Sequence, residues 1–226
     1  MANQSMVRVL VEAMKTKPPD FFCKAVRHLS IETLDASCCS AEDAKALLHM
    51  CTGLTDLTVE YGLANPTLIP ILKQMRLQRL GLELEELFGR LESIDLTHSL
   101  FSSVTHLDIY SVRETARAPH GLPLLPALTH LCLSSELPRE EALRVLEECV
   151  RLQQLLVLWP FFDADRYLLA QTPHAYDIRF VIGQYNDYWG EWEAGARGRG
   201  DFWTRGDDFV ARKRTGEIEA TRYWLD

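Results

Sequence analysis

Four side chains of types that bind zinc occupy matched positions in the sequence: His106, Asp108, His130 and Cys132. On adjacent strands they would project from one face, and imidazole, carboxylate and thiolate groups are all zinc ligands. The spacing also follows from a simple repeat, and neutral histidines beside a buried thiol account for it without a metal. We therefore expect no metal site and no cofactor.

Sequence signatures of catalysis are absent. The chain has no G-x-S-x-G, no H-E-x-x-H, no phosphate-binding G-x-x-x-x-G-K-[ST] and no dinucleotide fingerprint. A histidine and cysteine pair could supply a nucleophile, but an open sheet face offers no oxyanion hole. The sequence thus favours a non-enzymatic protein.

The elements that position these side chains follow from a repeat. The pattern apolar-x-x-apolar-x-apolar recurs with its middle residue at 29, 57, 80, 107, 131 and 155, and a degenerate seventh copy is Ala175/Ile178/Phe180. The gaps of 28, 23, 27, 24, 24 and 23 residues fit the roughly 20- to 29-residue period of leucine-rich repeats. We predict an α/β fold: a short leucine-rich-repeat solenoid with a curved parallel sheet and with helices and loops on its convex side.

Alternation along each strand sends repeat positions 3, 5 and 7 to the concave face, opposite the leucines. Position 3 is expected to form a column of His28, Asp56, Arg79, His106, His130 and Gln154. Position 7 begins with Glu32, Glu60 and Glu83 and then changes to Tyr110. Arg79 is placed to pair with Asp56 or Glu60 and to reduce the acidity locally.

An acidic half beside an aromatic half is typical of a protein-binding surface that steers a basic segment. The alternative is that the glutamates are merely solvated and that the C-terminal region covers the aromatic side chains. Under the first interpretation the partner-binding residues are Glu32, Asp56, Glu60, Glu83, His106, Asp108, Tyr110, His130 and Trp159.

Helix signals lie between the strands. Ser40 with Asp43 predicts a capped helix over 41–50, and Pro66 and Pro138 predict helix starts before 67–75 and 139–150. Residues 163–171 form another candidate helix, whereas the prolines of 113–126 predict a loop.

Three segments divide the single predicted domain. Residues 1–25 form an amphipathic N-terminal cap helix that ends before Pro18, and residues 26–183 form the repeats. Residues 184–226 contain four of the five tryptophans and are expected to be an aromatic C-terminal cap. Within the cap, 195–200 is predicted as a loop, and a helix over 201–215 begins at Asp201 and stops at Gly216.

Composition narrows the setting. The 226 residues carry a net charge of −8, which disfavours nucleic acid as a partner because phosphates need a basic surface. No apolar run is long enough to span a membrane. The six cysteines form no CxxC pair and follow no export signal, so we expect reduced thiols in an intracellular protein, cytoplasmic or nuclear.

The segments 21–29, 128–131, 177–181 and 187–203 resemble a large group of mushroom-type fungal proteins described as F-box or leucine-rich-repeat-like. In F-box proteins an N-terminal F-box docks on a ubiquitin-ligase adaptor, and the repeats select the substrate. The resemblance implies, as an alternative, a substrate-receptor fragment of such a complex. Only about 25 residues precede the first repeat, too few for a three-helix F-box.

Overall fold

Six of the seven described strands begin at the third position of a predicted repeat. The computed structural model describes residues 10, 13, 16–32, 40–115, 118–160 and 177–225. The strands are β1 (His28–Ile31), β2 (Asp56–Val59), β3 (Arg79–Leu82), β4 (His106–Thr115), β5 (His130–Glu136), β6 (Gln154–Pro160) and β7 (Phe180–Tyr185).

The chain divides into two compact units, Met1–Val104 and Thr105–Asp226. In the first unit β2 lies between β1 and β3, and both pairings are parallel. In the second unit β4, β5, β6 and β7 pair in chain order, again in parallel. The predicted α/β class with parallel strands is therefore confirmed.

The register of the strands matches the predicted columns. Leu57 pairs with Leu80 in the first unit, and Leu107 pairs with Leu131, which pairs with Leu155, in the second. All five of these side chains are fully buried. A slip of one residue would turn every leucine to the opposite face, so the buried leucines fix the register.

The seventh repeat lies two residues further along the chain than predicted. Leu155 pairs with Phe180, not with Ile178, and Val157 pairs with Ile182. The first apolar position of this repeat is held by Asp177, which binds Arg179 through both carboxylate oxygens. Because a charged residue replaces the expected leucine, the sequence pattern was matched to the wrong frame.

The first unit contains four described α-helices: α1 (Pro19–Ala25), α2 (Ala41–Met50), α3 (Ile69–Leu72) and α4 (Leu84–Phe88). Helix α2 has the predicted start, in which Ser40 and Asp43 form a complete capping box. The helix predicted over 67–75 is shorter, because Pro66–Leu68 is a 3-10 turn and α3 covers only four residues.

The described part of the second unit has three α-helices: α5 (Arg139–Glu148), α6 (Tyr188–Ala196) and α7 (Phe202–Thr215). Helices α5 and α7 confirm the predictions, including the Asp201 cap and the Gly216 stop with its φ of 76°. Helix α6 was not predicted and takes in the start of the expected loop at 195–200. No described helix is long and apolar enough to cross a lipid bilayer.

Two further predictions change or lie outside the described residues. The expected loop over 113–126 begins later, because β4 continues to Thr115 and Leu122–Leu124 forms a 3-10 turn. Of the predicted N-terminal helix before Pro18, most residues lie outside the described part of the chain, as does the candidate helix over 163–171.

The outer edge of β7 is covered by the end of the chain. The backbone N–H of Ile182 donates to the carbonyl of Tyr223, and the N–H of Leu225 donates to the carbonyl of Ile182, at 2.6 and 2.8 Å. The Lys213 ammonium of α7 donates to the carbonyl of Phe180 at 2.8 Å. These bonds satisfy backbone groups that an open edge strand would leave exposed.

Candidate interaction surface and the covered sheet face

Three acidic residues follow the three strands of the first unit, as the repeat predicted. Glu32 comes directly after β1 and Glu60 after β2, and the N–H of Glu60 donates to the carbonyl of Ile31 at 2.9 Å. Both side chains are partly exposed. Glu83 differs because it is buried and caps α4, accepting from the N–H of Glu85 at 3.4 Å.

A row of polar contacts crosses the same strands at position 3. His28 pairs with Asp56, which pairs with Arg79 in the strand register. The buried Asp56 Oδ2 lies 3.3 Å from His28 Nδ1 and 3.4 Å from Arg79 Nε. The predicted pairing of Arg79 with Asp56 is confirmed, and the Arg79 guanidinium provides this buried carboxylate with an opposite charge.

An aromatic residue that the sequence analysis missed lies beside the acidic pair. Tyr61 follows Glu60 directly and has 52% of its surface exposed. A tyrosine at the rim of a surface supplies contact area together with a hydroxyl for hydrogen bonding. The repeat pattern did not assign this residue because it lies one position beyond the last strand column. We call Glu32, Glu60 and Tyr61 the acidic rim.

In the second unit the equivalent sheet face is covered by α6 and α7. Leu156, Leu158 and Val181 of the sheet pack against rings from the two helices. The helix members of this cluster are Tyr188, Trp192, Phe202, Trp203, Phe209 and Val210. The cover explains why a face that would expose aliphatic side chains is compatible with a stable fold.

A buried carboxylate lies at the centre of the covered face. Asp108 has no exposed surface, and it accepts hydrogen bonds from Tyr188 Oη at 2.6 Å and from Ser134 Oγ at 3.2 Å. Tyr188 Oη also accepts from Trp192 Nε1 and lies 2.7 Å from Tyr110 Oη. Charge-assisted bonds of this kind offset the cost of removing a carboxylate from water.

The same burial favours the protonated forms of the Tyr188 hydroxyl and the Cys132 thiol. Burial raises the pKa of Tyr188 well above its ordinary 10, and the Asp108 charge raises it further. The pKa of the Cys132 thiol is raised well above 9 for the same two reasons, burial first. Because only a thiolate is a good nucleophile, Cys132 is unsuited to nucleophilic chemistry here.

Two histidines on adjacent strands form a stacked pair. The rings of His106 and His130 are nearly parallel, with centroids 4.1 Å apart, and the Trp203 ring meets both edge-on. His130 Nε2 lies 2.9 Å from Asp207 Oδ1, which also accepts from Gln154 Nε2 at 3.0 Å. These contacts fasten α7 across position 3 of β4, β5 and β6.

Several donor atoms of these residues contact other side chains. His106 Nδ1 and His130 Nδ1 lie at hydrogen-bond distance from threonine hydroxyls, His130 Nε2 from Asp207, and Asp108 accepts from Ser134 and Tyr188. Among the described residues, no three His, Cys, Asp or Glu side chains come together as metal ligands. The arrangement of Asp108, His106 and His130 is that of a packed polar cluster between sheet and helix.

The nine residues predicted to contact a partner differ in how much of their surface is exposed. Five of the nine are buried: Asp56, Glu83, Asp108, His130 and Trp159. A side chain with almost no exposed surface offers little area to a partner, so partner binding by these five residues stays a prediction. The four that keep partial exposure are Glu32, Glu60, His106 and Tyr110.

Comparison with protein-family models, with curated proteins and with solved structures finds no match to this chain.

Proposed function

We propose that this chain is a leucine-rich-repeat-type interaction protein that binds a partner protein through the acidic rim of its first unit. The observation that carries the proposal is the exposed Tyr61 beside two partly exposed carboxylates at the ends of adjacent strands. The in-register leucine columns support the leucine-rich-repeat assignment.

The chemistry of the rim favours a basic segment in the partner. Neighbouring strands lie about 4.8 Å apart, so the Glu32 and Glu60 carboxylates follow one another along the ends of β1 and β2. Two acidic groups attract lysine or arginine side chains and speed their association. Tyr61 adds an aromatic anchor, a residue type enriched among those that dominate binding energy.

Peptide binding tests this proposal directly. Fluorescence anisotropy with basic, acidic and neutral peptides of equal length should show that the protein binds the basic set selectively. Tyr61→Ser should weaken binding at least about tenfold, and Glu60→Lys should slow association and reduce its dependence on salt. Basic peptides that bind no better than acidic ones would contradict the proposal.

The matched control is Glu147→Lys, which makes the same charge change at an exposed position in the second unit. We expect it to alter affinity by less than about threefold, the range of an isolated surface charge. Equal effects of Glu60→Lys and Glu147→Lys would show that net charge alone, not the rim, is responsible. Affinity purification that recovers a ubiquitin-ligase adaptor would instead support the substrate-receptor alternative.

A further inference from the structure

A small apolar cavity opens on the second unit, away from the covered sheet face. It lies between the 3-10 turn Leu122–Leu124 and the connection from α5 to β6, and its volume is about 200 Å³. Its walls include Leu122, Leu125, Leu128, Cys149 and Leu152. A dry cavity of roughly 150 Å³ already accepts a benzene-sized group, so this one has room for an aliphatic side chain.

Two aliphatic side chains project into solvent in the segments that form the cavity: Val150, and Leu124, whose chain neighbours Pro123 and Leu125 line the cavity. Val150, which also lines the cavity, has 81% of its surface exposed, and Leu124 has 61% exposed. They are the most exposed of the large hydrophobic side chains in the described residues. One patch thus combines protruding apolar groups with an apolar recess.

Opposite charges flank the protruding valine. Glu148 and Arg151 are both exposed and both line the cavity. Arg151 Nη2 donates to the Leu125 carbonyl at 2.9 Å, and Glu148 accepts from Arg144 at 3.0 Å, so both charges are held at the rim. A patch with one acid and one base on either side of its centre is complementary to a copy of itself turned by half a rotation.

We propose that this patch, formed by Leu124, Glu148, Val150 and Arg151 around the cavity, binds a second copy of the chain. A two-fold interface uses the same patch on both copies, so a contact from residue i to residue j is repeated from j to i. Val150 and Leu124 of each copy then lie over the cavity of the other copy. Glu148 of each copy then faces Arg151 of the other. The proposal is independent of the acidic rim, which lies in the other unit.

Sedimentation equilibrium of the full chain across a wide concentration range tests the proposal. The wild type should show a reversible monomer–dimer equilibrium. Val150→Asp should weaken the dimer at least about tenfold, because it places a charge at the centre of an apolar contact. Val150 is exposed, so the fold should survive, and circular dichroism verifies this.

The control is Leu91→Asp, the same change at another exposed aliphatic residue of the first unit, which should leave the dimer unchanged. Glu148→Arg and Arg151→Glu should each weaken the dimer, and the double variant should recover most of the loss by restoring the complementary charges. A wild type that is monomeric at every concentration overturns the proposal, as does a double variant weaker than either single one. Tyr61→Ser should dimerise normally, which separates failure here from failure of the acidic rim.

Discussion

Asp108 shows how one buried charge organises its surroundings. Its two oxygens accept from Tyr188 and Ser134, and Tyr188 in turn bonds Trp192 and Tyr110. Removing one member of such a network leaves a buried polar atom unsatisfied, which costs more than the net value of the bond itself. The network therefore ties α6 to β4 and β5.

Tyr188→Phe should destabilise the protein by about 2 to 3 kcal/mol in urea unfolding, because it removes the shortest donor to a buried carboxylate. The control Tyr61→Phe, at an exposed ring, should cost less than about 0.5 kcal/mol. In the Asp108→Asn background the cost of Tyr188→Phe should fall, since the buried charge is gone. Strictly additive effects would argue that the two groups do not interact.

Lys213 gives stability a dependence on alkaline pH. Burial lowers its pKa from 10.5 to about 8, against an opposing effect of the Asp177 charge. Between these pH values the unfolded chain binds more protons than the folded chain. The penalty for burying the ammonium is therefore fully present below pH 8 and diminishes as pH rises towards 10.5.

The difference in unfolding free energy between wild type and Lys213→Met should accordingly change in favour of the wild type from pH 8 to pH 10. Other groups that titrate in this range, such as Cys51 with a pKa raised to about 11, cancel in the difference between the two proteins. A difference that stays constant with pH would show that Lys213 is not desolvated in the folded protein. Arg214→Met, at an exposed position of the same helix turn, is the matched control.

Among the elements, α7 packs tightly against β6 at Gly206, where the absence of a side chain permits the contact. A Cβ atom added at Gly206 would lie 2.6 Å from Nε2 of the buried Gln154. That distance is well inside van der Waals contact, so any side chain at 206 would push α7 away from β6. Gln154 cannot move freely because it also bonds Asp207 and the Trp203 carbonyl.

Gly206→Ala should therefore lower the unfolding free energy by up to about 2 kcal/mol. Overpacking costs roughly 1 to 3 kcal/mol, which exceeds the gain of at most about 1 kcal/mol from higher helix propensity. In the Gln154→Ala background the space is open, and the same substitution should become stabilising. No reversal of sign between the two backgrounds would refute a steric cause.

Local signals in the sequence were sufficient for some elements and insufficient for others. The Ser40 capping box and the Asp201 to Gly216 helix have specific residues at each end, so they were predicted correctly. Helix α6 was not predicted because it contains Gly190 and Gly195, which disfavour helix, and lacks an obvious apolar stripe. Its Asp187 cap, which accepts from the Gly190 N–H at 3.0 Å, was the available signal.

At the scale of the whole molecule, the leucine spacing predicted the pairing and register of the strands within each unit, except that β7 is shifted by two residues. It could not predict which face stays open, because the cover over Asp108 comes from residues about 80 positions further along the chain. Packing between residues so far apart in the chain produces no periodic pattern in the sequence. The sequence interpretation that the C-terminal region covers the aromatic residues describes the second unit, and the surface that we propose for a partner is the acidic rim of the first unit.

The residues bonded along the edge of β7, Tyr223 to Leu225, restrict where further repeats can be added during evolution. Tyr223 and Leu225 already occupy the outward N–H and carbonyl of Ile182. A copy of a repeat added after Tyr185 would have to displace Tyr223 and Leu225 from β7. A copy inserted between β5 and β6 would find matching leucines on both neighbouring strands. We therefore expect longer homologues to carry duplicated repeats within the sheet and to keep β7 and its bonded residues 223–225 at the sheet edge.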